Sequence, residues 1–257
     1  MALLKKRLKR GDMVFGPFVN LCHPAVLEVA GFAGFDFAII DTEHGELSSD
    51  RAVDMIRAAK LAGISPVVRV YGNQPELIAK ALDIGAEGVQ VPQIGNKQEA
   101  QAAVNAAKFS PEGARGCNRY VRAAGYSSMD KFTYFSAANQ ETAVILQVEG
   151  KEGIENLSEI LTVKGIDVLF IGPYDLSASL GIPGQVDHPD LVAEMQKNMK
   201  LAGEAGIAIG FFVDDVETAI KWKRWGIQYI SFAADVGLLY QAFSKAVKAF
   251  QEEKVQA

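Results

Sequence analysis

The sequence predicts a single (β/α)8 barrel, and three observations carry that expectation. Eight short apolar runs, rich in β-branched and aromatic residues, alternate with Ala-rich segments of helical period. Glycine recurs just ahead of the strands, at Gly31, Gly34, Gly63, Gly85, Gly88, Gly165, Gly206 and Gly226, where a helix C-cap would close each unit. Eight such units in 257 residues match the usual size of this barrel.

In chain order, the expected strands are 13–19 (MVFGPFV), 35–41 (FDFAIID), 65–70 (SPVVRV) and 88–91 (GVQV). The second four are 142–149 (TAVILQVE), 166–171 (IDVLFI), 207–213 (IAIGFFV) and 228–233 (QYISFA). Such apolar runs suit a parallel sheet covered by helices. Helical patterns fall near 24–33, 49–62, 75–84, 97–108, 152–161, 189–204, 215–224 and 235–252. The one irregular stretch is 109–127, FSPEGARGCNRYVRAAGYS, whose length suggests a binding loop or lid. A doubly wound open sheet is the competing fold. It would need fewer strands and a phosphate-binding glycine loop after strand one, and no GxGxxG or GxxxxGK[ST] stands there.

Composition narrows the class further. Nearly half of the residues are apolar, and the net charge of −5 argues against nucleic acid as a general partner. No apolar run reaches the roughly 18 residues that a membrane span requires. The start, MALLKKRLKRGDM, reads as a short amphipathic helix leading into the barrel rather than a signal peptide. Cys22 and Cys117 form no CxxC pattern, so neither a disulfide framework nor a zinc site is expected and the cytoplasm is the expected location. The whole chain, 1–257, is read as one domain, with the C-terminal helix expected in oligomer contacts.

Barrel enzymes carry their chemistry at the C-terminal ends of the strands, which shortens the search. Strand two ends in Asp41-Thr42-Glu43-His44-Gly45, strand three at Arg69, and strand four in Gln90-Val91-Pro92. Strand five ends in Gln147-Val148-Glu149 and strand six runs into Gly172-Pro173-Tyr174-Asp175, while strands seven and eight end near Asp214 and Asp235. Gln147 and Glu149 share one face of their strand by period-two alternation. Glu149 and Asp175, from neighbouring strand ends, suit a hard divalent cation such as Mg²⁺ or Mn²⁺. The alternative is that each caps the helix that follows.

His44 fits a general base tuned by nearby charge, or a hydrogen-bonded loop histidine. His23 and His188 each precede a proline at a helix start and read as loop residues. Arg69 lies among valines, and an arginine is seldom fully buried without a partner. It fits a holder of a carboxylate or enolate oxygen, an ion pair with Asp41 or Glu43, or both. No expected strand contains a lysine, and Lys164 precedes strand six on the opposite face, so a Schiff-base site is not expected.

Together these motifs resemble the HpcH/HpaI family of metal-dependent pyruvate aldolases. The matching segments are AGFDFAIIDTEHG (33–45), PVVRV (66–70), GAEGVQVPQI (85–94), PEGARG (111–116), QVEGKEGIENLSEI (147–160) and IDVLFIGPYDLSASLG (166–181). They span most of the chain in order. The resemblance implies a (β/α)8 barrel that cleaves 4-hydroxy-2-oxo acids into pyruvate, or a close relative, and an aldehyde. It implies Glu149 and Asp175 as ligands of a divalent metal (Mg²⁺, Mn²⁺ or Co²⁺) and Gln147 as a contact to the oxo acid. The backbone N–H groups of Tyr174 and Asp175 would hold its carboxylate. His44 would be the acid/base, Arg69 would stabilise the enolate oxygen, and Asp83 would raise the basicity of the histidine. Asp83 falls at the end of the third expected helix, towards the opposite face, so a neighbouring subunit could supply it, in keeping with the hexamers usual in the family. The chain departs from common members at Cys22-His23-Pro24, in CNRYVRAAGYS and at Tyr174, which is larger than the small residue often found there. These departures bear on the aldehyde partner, not on the metal or enolate chemistry. The rival readings are an acyl-CoA carbon–carbon lyase, an oxo-acid decarboxylase, and a non-catalytic barrel that binds carboxylates.

Overall fold

A computed structural model describes residues 4–45 and 51–252. Eight strands, all parallel, close into a barrel in the order of the chain. They are β1 (Val14–Val19), β2 (Phe37–Asp41), β3 (Ser65–Arg69), β4 (Gly88–Val91), β5 (Ala143–Val148), β6 (Val168–Ile171), β7 (Ala208–Val213) and β8 (Tyr229–Ala234). Closure leaves no free sheet edge, so every strand has backbone partners on both sides.

The helices α1 (Leu4–Lys9), α2 (Pro24–Phe32), α3 (Ala52–Leu61), α4 (Pro75–Asp83) and α5 (Lys97–Ala107) come from the first half. Part of the expected helix at 49–62 lies outside the described residues. The 109–127 stretch is less irregular than expected, because its end forms a 3-10 turn over Arg122–Ser127. An unforeseen helix, α6 (Tyr134–Glu141), follows it before β5. The expected 152–161 helix starts earlier and is two pieces, α7 (Gly150–Glu155) and α8 (Leu157–Ile160). They break at Asn156, whose side-chain amide donates to Gly95 O at 2.9 Å. A second unforeseen helix, α9 (Pro173–Ser179), begins directly beyond β6, and Pro173 supplies the preset φ of a first helical residue. The chain ends with α10 (Pro189–Glu204), α11 (Val216–Arg224) and α12 (Asp235–Glu252). No helix of the described residues is long and apolar enough to cross a membrane.

Period-two alternation sorts the buried side chains into two cores. Phe18, Phe37, Ile39, Ile145, Phe170 and Tyr229 fill the barrel interior, where Phe37 and Tyr229 stack at 4.3 Å. Their neighbours along the strands, such as Ile40, Val68, Val89, Leu146 and Leu169, face the helices in the larger outer core. Leu4 and Leu8 of α1 belong to the interior core, so this helix stops the base of the barrel.

Two buried lysines hold that base together. Lys5 Nζ lies 3.0 Å from Asp167 Oδ1 and donates to Thr142 O at 3.1 Å. Lys108 Nζ donates to Thr142 O and to Asn139 O, both at 2.8 Å. Burial, and then the charge of Lys5, push the Lys108 ammonium down to about 7 against the opposing pull of Asp167. The unfolded chain then binds the extra proton between pH ~7 and the ordinary lysine value of ~10.4. Stability should therefore rise with pH across that window, by at most ~1.4 kcal/mol per pH unit from this one group. Lys108→Met removes the titrating group, so its melting temperature should gain less between about pH 7 and pH 9 than the parent's. Thermal melts across that range check this, and parallel profiles would remove Lys108 as the source.

Candidate active site

The C-terminal ends of the strands surround a cavity of about 370 Å³, lined among others by Asp41, His44, Arg69, Gln147, Glu149 and Asp175. Barrel register explains much of this convergence. Asp41 and Arg69 are paired positions in β2 and β3, and Arg69 and Gln90 are paired in β3 and β4.

Arg69 is buried, and its guanidinium is held on three nitrogens. Nε donates to Asp41 Oδ1 at 2.9 Å and Nη2 to Asp41 Oδ2 at 2.7 Å, a bidentate pair. Nη1 lies 3.0 Å from Glu43 Oε2, and the guanidinium carbon sits 4.7 Å over the Phe18 ring. Burial pushes the Asp41 carboxyl up, but the hydrogen bonds and charge of Arg69 and the N–H groups of Glu43 and His44 outweigh it. The carboxyl therefore lies below its usual range. Asn20, just past β1, donates its side-chain amide to Asp41 Oδ2 at 3.0 Å. Asp235, at the start of α12, accepts from the backbone N–H of Asn20 at 2.9 Å and of Leu21 at 3.0 Å, which fixes the turn that carries Asn20. Gly45 is required nearby, since a Cβ there would lie 2.5 Å from Asp41 O.

The opposite side of the cavity is acidic. Gln90 Nε2 donates to Gln147 Oε1 at 2.7 Å, which turns the Gln147 amide N–H towards Glu149 Oε1, its hydrogen-bond acceptor. Burial pushes the Glu149 carboxyl up to about 7, and the charges of Asp175 and Glu43 add to the shift. Asp175 lies in the first turn of α9 and folds back over Gly172, where a Cβ would come within 2.5 Å of Asp175 Oδ2. Glu43 Oε2 is buried without an aligned hydrogen bond. Crowded carboxylates fit a divalent cation, which would relieve their repulsion. Among the described residues no group of three or more His, Cys, Asp or Glu is arranged to hold a metal. Glu149 and Asp175 would therefore leave most of the coordination to water and substrate.

His44 lines the cavity, with its side chain 71% exposed and Nε2 3.9 Å from Glu43 Oε2. Tyr174 lines it as well, and its hydroxyl donates to Asp214 beyond β7. That bond first, then burial and the charges of Asp214 and Asp215, push the phenol up to about 12. Asp83 is not brought to this cavity. It ends α4, at the other end of the strands, where Arg115 Nη2 donates to its Oδ1. Sequence reasoning did not single out Asn20, Glu43 as a cavity acid in its own right, or the aromatic wall of Phe18 and Phe212. The strand-end rule applied to β1 points to Asn20, whereas the aromatic residues carry no local signal that separates them from core.

A closed parallel barrel whose mouth gathers a fixed arginine and several acids in one cavity has the layout of a barrel enzyme's active site. The comparisons agree. Residues 15–242 match the HpcH/HpaI aldolase/citrate lyase family, and the chain belongs to that family. It is 36% identical over 236 residues to the hydroxypyruvate/pyruvate aldolase of Roseobacter denitrificans, covering 91% of each chain. It is 33% identical to the 2-keto-3-deoxy-L-rhamnonate aldolase of Klebsiella pneumoniae, covering 98% of this chain and 94% of that one. The crystal structure of an HpcH/HpaI aldolase from Desulfitobacterium hafniense superposes with a TM-score of 0.93 at 30% identity, over the full length of both chains. The protein is a carbon–carbon lyase.

Asp41→Asn should lower stability by about 3 kcal/mol near neutral pH, because it strips a buried guanidinium of its charged bidentate partner. The depressed Asp41 value means that its stabilisation is present above the ordinary aspartate value of ~3.9 and is lost as pH falls through the folded value. The gap between variant and parent should therefore narrow in acid. Urea unfolding at about pH 7 and about pH 3.5 measures both points.

Proposed function

We propose that this protein is a metal-dependent aldolase that cleaves 4-hydroxy-2-oxo acids to pyruvate and an aldehyde through an enolate. The observation that carries the reading is the fixed Arg69 guanidinium facing the Glu149–Asp175 pair across one cavity. Glu149 and Asp175 would hold a divalent cation such as Mg²⁺, Mn²⁺ or Co²⁺. When bound, that ion supplies Lewis-acid polarisation of the 2-oxo acid.

The chain's own residues do the rest. Gln147, oriented by Gln90, hydrogen-bonds the oxo acid. The N–H groups of Tyr174 and Asp175 lie in the first turn of α9, where a helix leaves donors without internal acceptors, and they receive the carboxylate. His44, directly or through a water, takes the proton of the 4-hydroxyl. The C3–C4 electron pair remains on C3 as the aldehyde leaves, and Arg69 stabilises the resulting enolate oxygen. Protonation of C3 then gives pyruvate.

The family resemblance implies an acid partner for His44, and Asp83 of the same chain lies at the other end of the barrel. We assign that role to Asp83 of a neighbouring copy in a homo-oligomer, read as a hexamer. The exposed stripe of Leu239, Tyr240, Phe243, Val247 and Phe250 on α12 supports assembly, as does the exposure of Phe32 and Leu61.

Two experiments test this reading. EDTA should abolish cleavage, added Mg²⁺, Mn²⁺ or Co²⁺ should restore it, and borohydride with pyruvate should leave the protein mass unchanged. Glu149→Ala and Asp175→Ala should each weaken metal binding. A pyruvate adduct on a lysine, with activity surviving EDTA, would overturn the assignment. Separately, His44→Ala should cost about 10²-fold or more in cleavage while still binding metal and pyruvate. His44→Ala and Asp83→Asn variants co-assembled in verified mixed oligomers should regain part of the lost activity, and no recovery would exclude supply by a neighbour.

A further inference from the structure

We infer that a second cavity, enclosed by the ends of α3 and α4, the 3-10 turn and α6, binds one small α-amino acid per chain. The cavity measures about 220 Å³, and among the described residues none that lines it also lines the mouth. The inference therefore stands independently of the aldolase reading above.

Unmet polar groups are the first argument. Three buried side-chain atoms of residues on its wall have no hydrogen-bond partner among the described residues: Glu87 Oε2, Arg115 Nε and the Tyr134 hydroxyl oxygen. Arg115 and Tyr134 are only 6% and 5% exposed, so bulk water does not supply what they lack. Both are held by one ring, since the Arg115 guanidinium carbon sits 4.4 Å over Phe109 and the Tyr134 ring centroid lies 5.8 Å from that of Phe109. Arg115 turns Nη2 to Asp83 and leaves Nε without an acceptor. Buried polar groups left unmet are costly, and three around one cavity call for an occupant that meets them together.

What these groups lack defines the ligand. The Arg115 Nε–H needs an acceptor, Glu87 Oε2 needs a donor, and the phenol serves as either. The charged side chains on the wall are Lys60, Arg115, Glu87 and Glu141, two of each sign, so the cavity as a whole favours neither an anion nor a cation. Arg115 is paired with Asp83, and Glu141 Oε1 lies 3.0 Å from Lys6 Nζ. Lys60 and Glu87 are the charges left to a ligand. A simple carboxylate would leave Glu87 unmet, and a simple amine would leave Arg115 unmet. A zwitterion meets both, with its carboxylate accepting from Arg115 Nε, the Tyr134 hydroxyl and Lys60 while its ammonium donates to Glu87 Oε2. Leu82, Ala86, Ala123 and Ala138 line the remainder and receive a short apolar side chain.

The test titrates the full chain, in its own assembly, with L-alanine by isothermal calorimetry. Propionate and isopropylamine are matched controls, which lack the ammonium and the carboxylate respectively. The expected result is saturable binding of one alanine per chain, with each control about tenfold weaker or more. Glu87→Gln keeps the shape and removes the charge, and should weaken alanine about tenfold while leaving propionate no weaker. Tyr134→Phe should weaken alanine about fivefold. Pyruvate with Mg²⁺ should not displace alanine. Displacement would put the amino acid at the mouth and overturn the inference. Absence of saturable binding, propionate equal to alanine, or alanine binding unchanged in both variants would overturn it as well.

Discussion

The bidentate pair between Arg69 and Asp41 is the constraint on which the rest of the barrel mouth depends. A buried guanidinium is tolerated only with its donors met, and a buried pair that loses one member is strongly destabilising. Asp41 closes two donors, Glu43 faces a third, and Phe18 lies beneath the plane. Asn20 then occupies a remaining site on Asp41, and Asp235 holds the turn that presents Asn20. Residues from β1, β2, β3 and the end of β8 are thereby tied around one positive charge. The cation faces the cavity in a single orientation, as an electrostatic stabiliser of a developing oxyanion must.

The other half of the mouth is built in the opposite sense. Gln90 orients Gln147, Gln147 donates to Glu149, and Asp175 bends back over Gly172. Burial, and then the charges of Asp175 and Glu43, raise the proton affinity of Glu149. The site is thus a fixed positive charge opposite an unbalanced negative cluster. That asymmetry supports the proposed place of a divalent ion.

Stability and chemistry are separated along the barrel axis. At the base, α1 closes the interior with Leu4 and Leu8, and Lys5 and Lys108 gather the carbonyls of Asn139 and Thr142. Asp83 and Arg115 lie on that side as well, away from His44. Asp235 joins α12 to the mouth while the rest of α12 presents an apolar stripe outward. Assembly through that helix would therefore act on the same turn that positions Asn20.

Local periodicity was enough to place all eight strands to within about two residues, because alternation, chain length and the capping glycines are properties of neighbouring residues. The strand-end rule likewise pointed to Asp41, His44, Arg69, Gln147, Glu149 and Asp175, all of which line one cavity. Local signals failed for α6, which lies between the irregular stretch and strand five, and for α9, where the sequence reads as the run-out of strand six. They also left open whether Arg69 is bare or paired, since its choice between Asp41 and Glu43 depends on register between strands. Only barrel closure brings Asn20 and Asp235, which are 215 positions apart, to the same carboxylate network. The same closure sets Phe212 beside Phe18 and Tyr174 beside Asp214. The physical reason is that secondary structure follows from short-range sterics and burial, which each segment carries in its own sequence. A site at the mouth of a barrel is a set of long-range distances, and those exist only once the sheet has closed on itself.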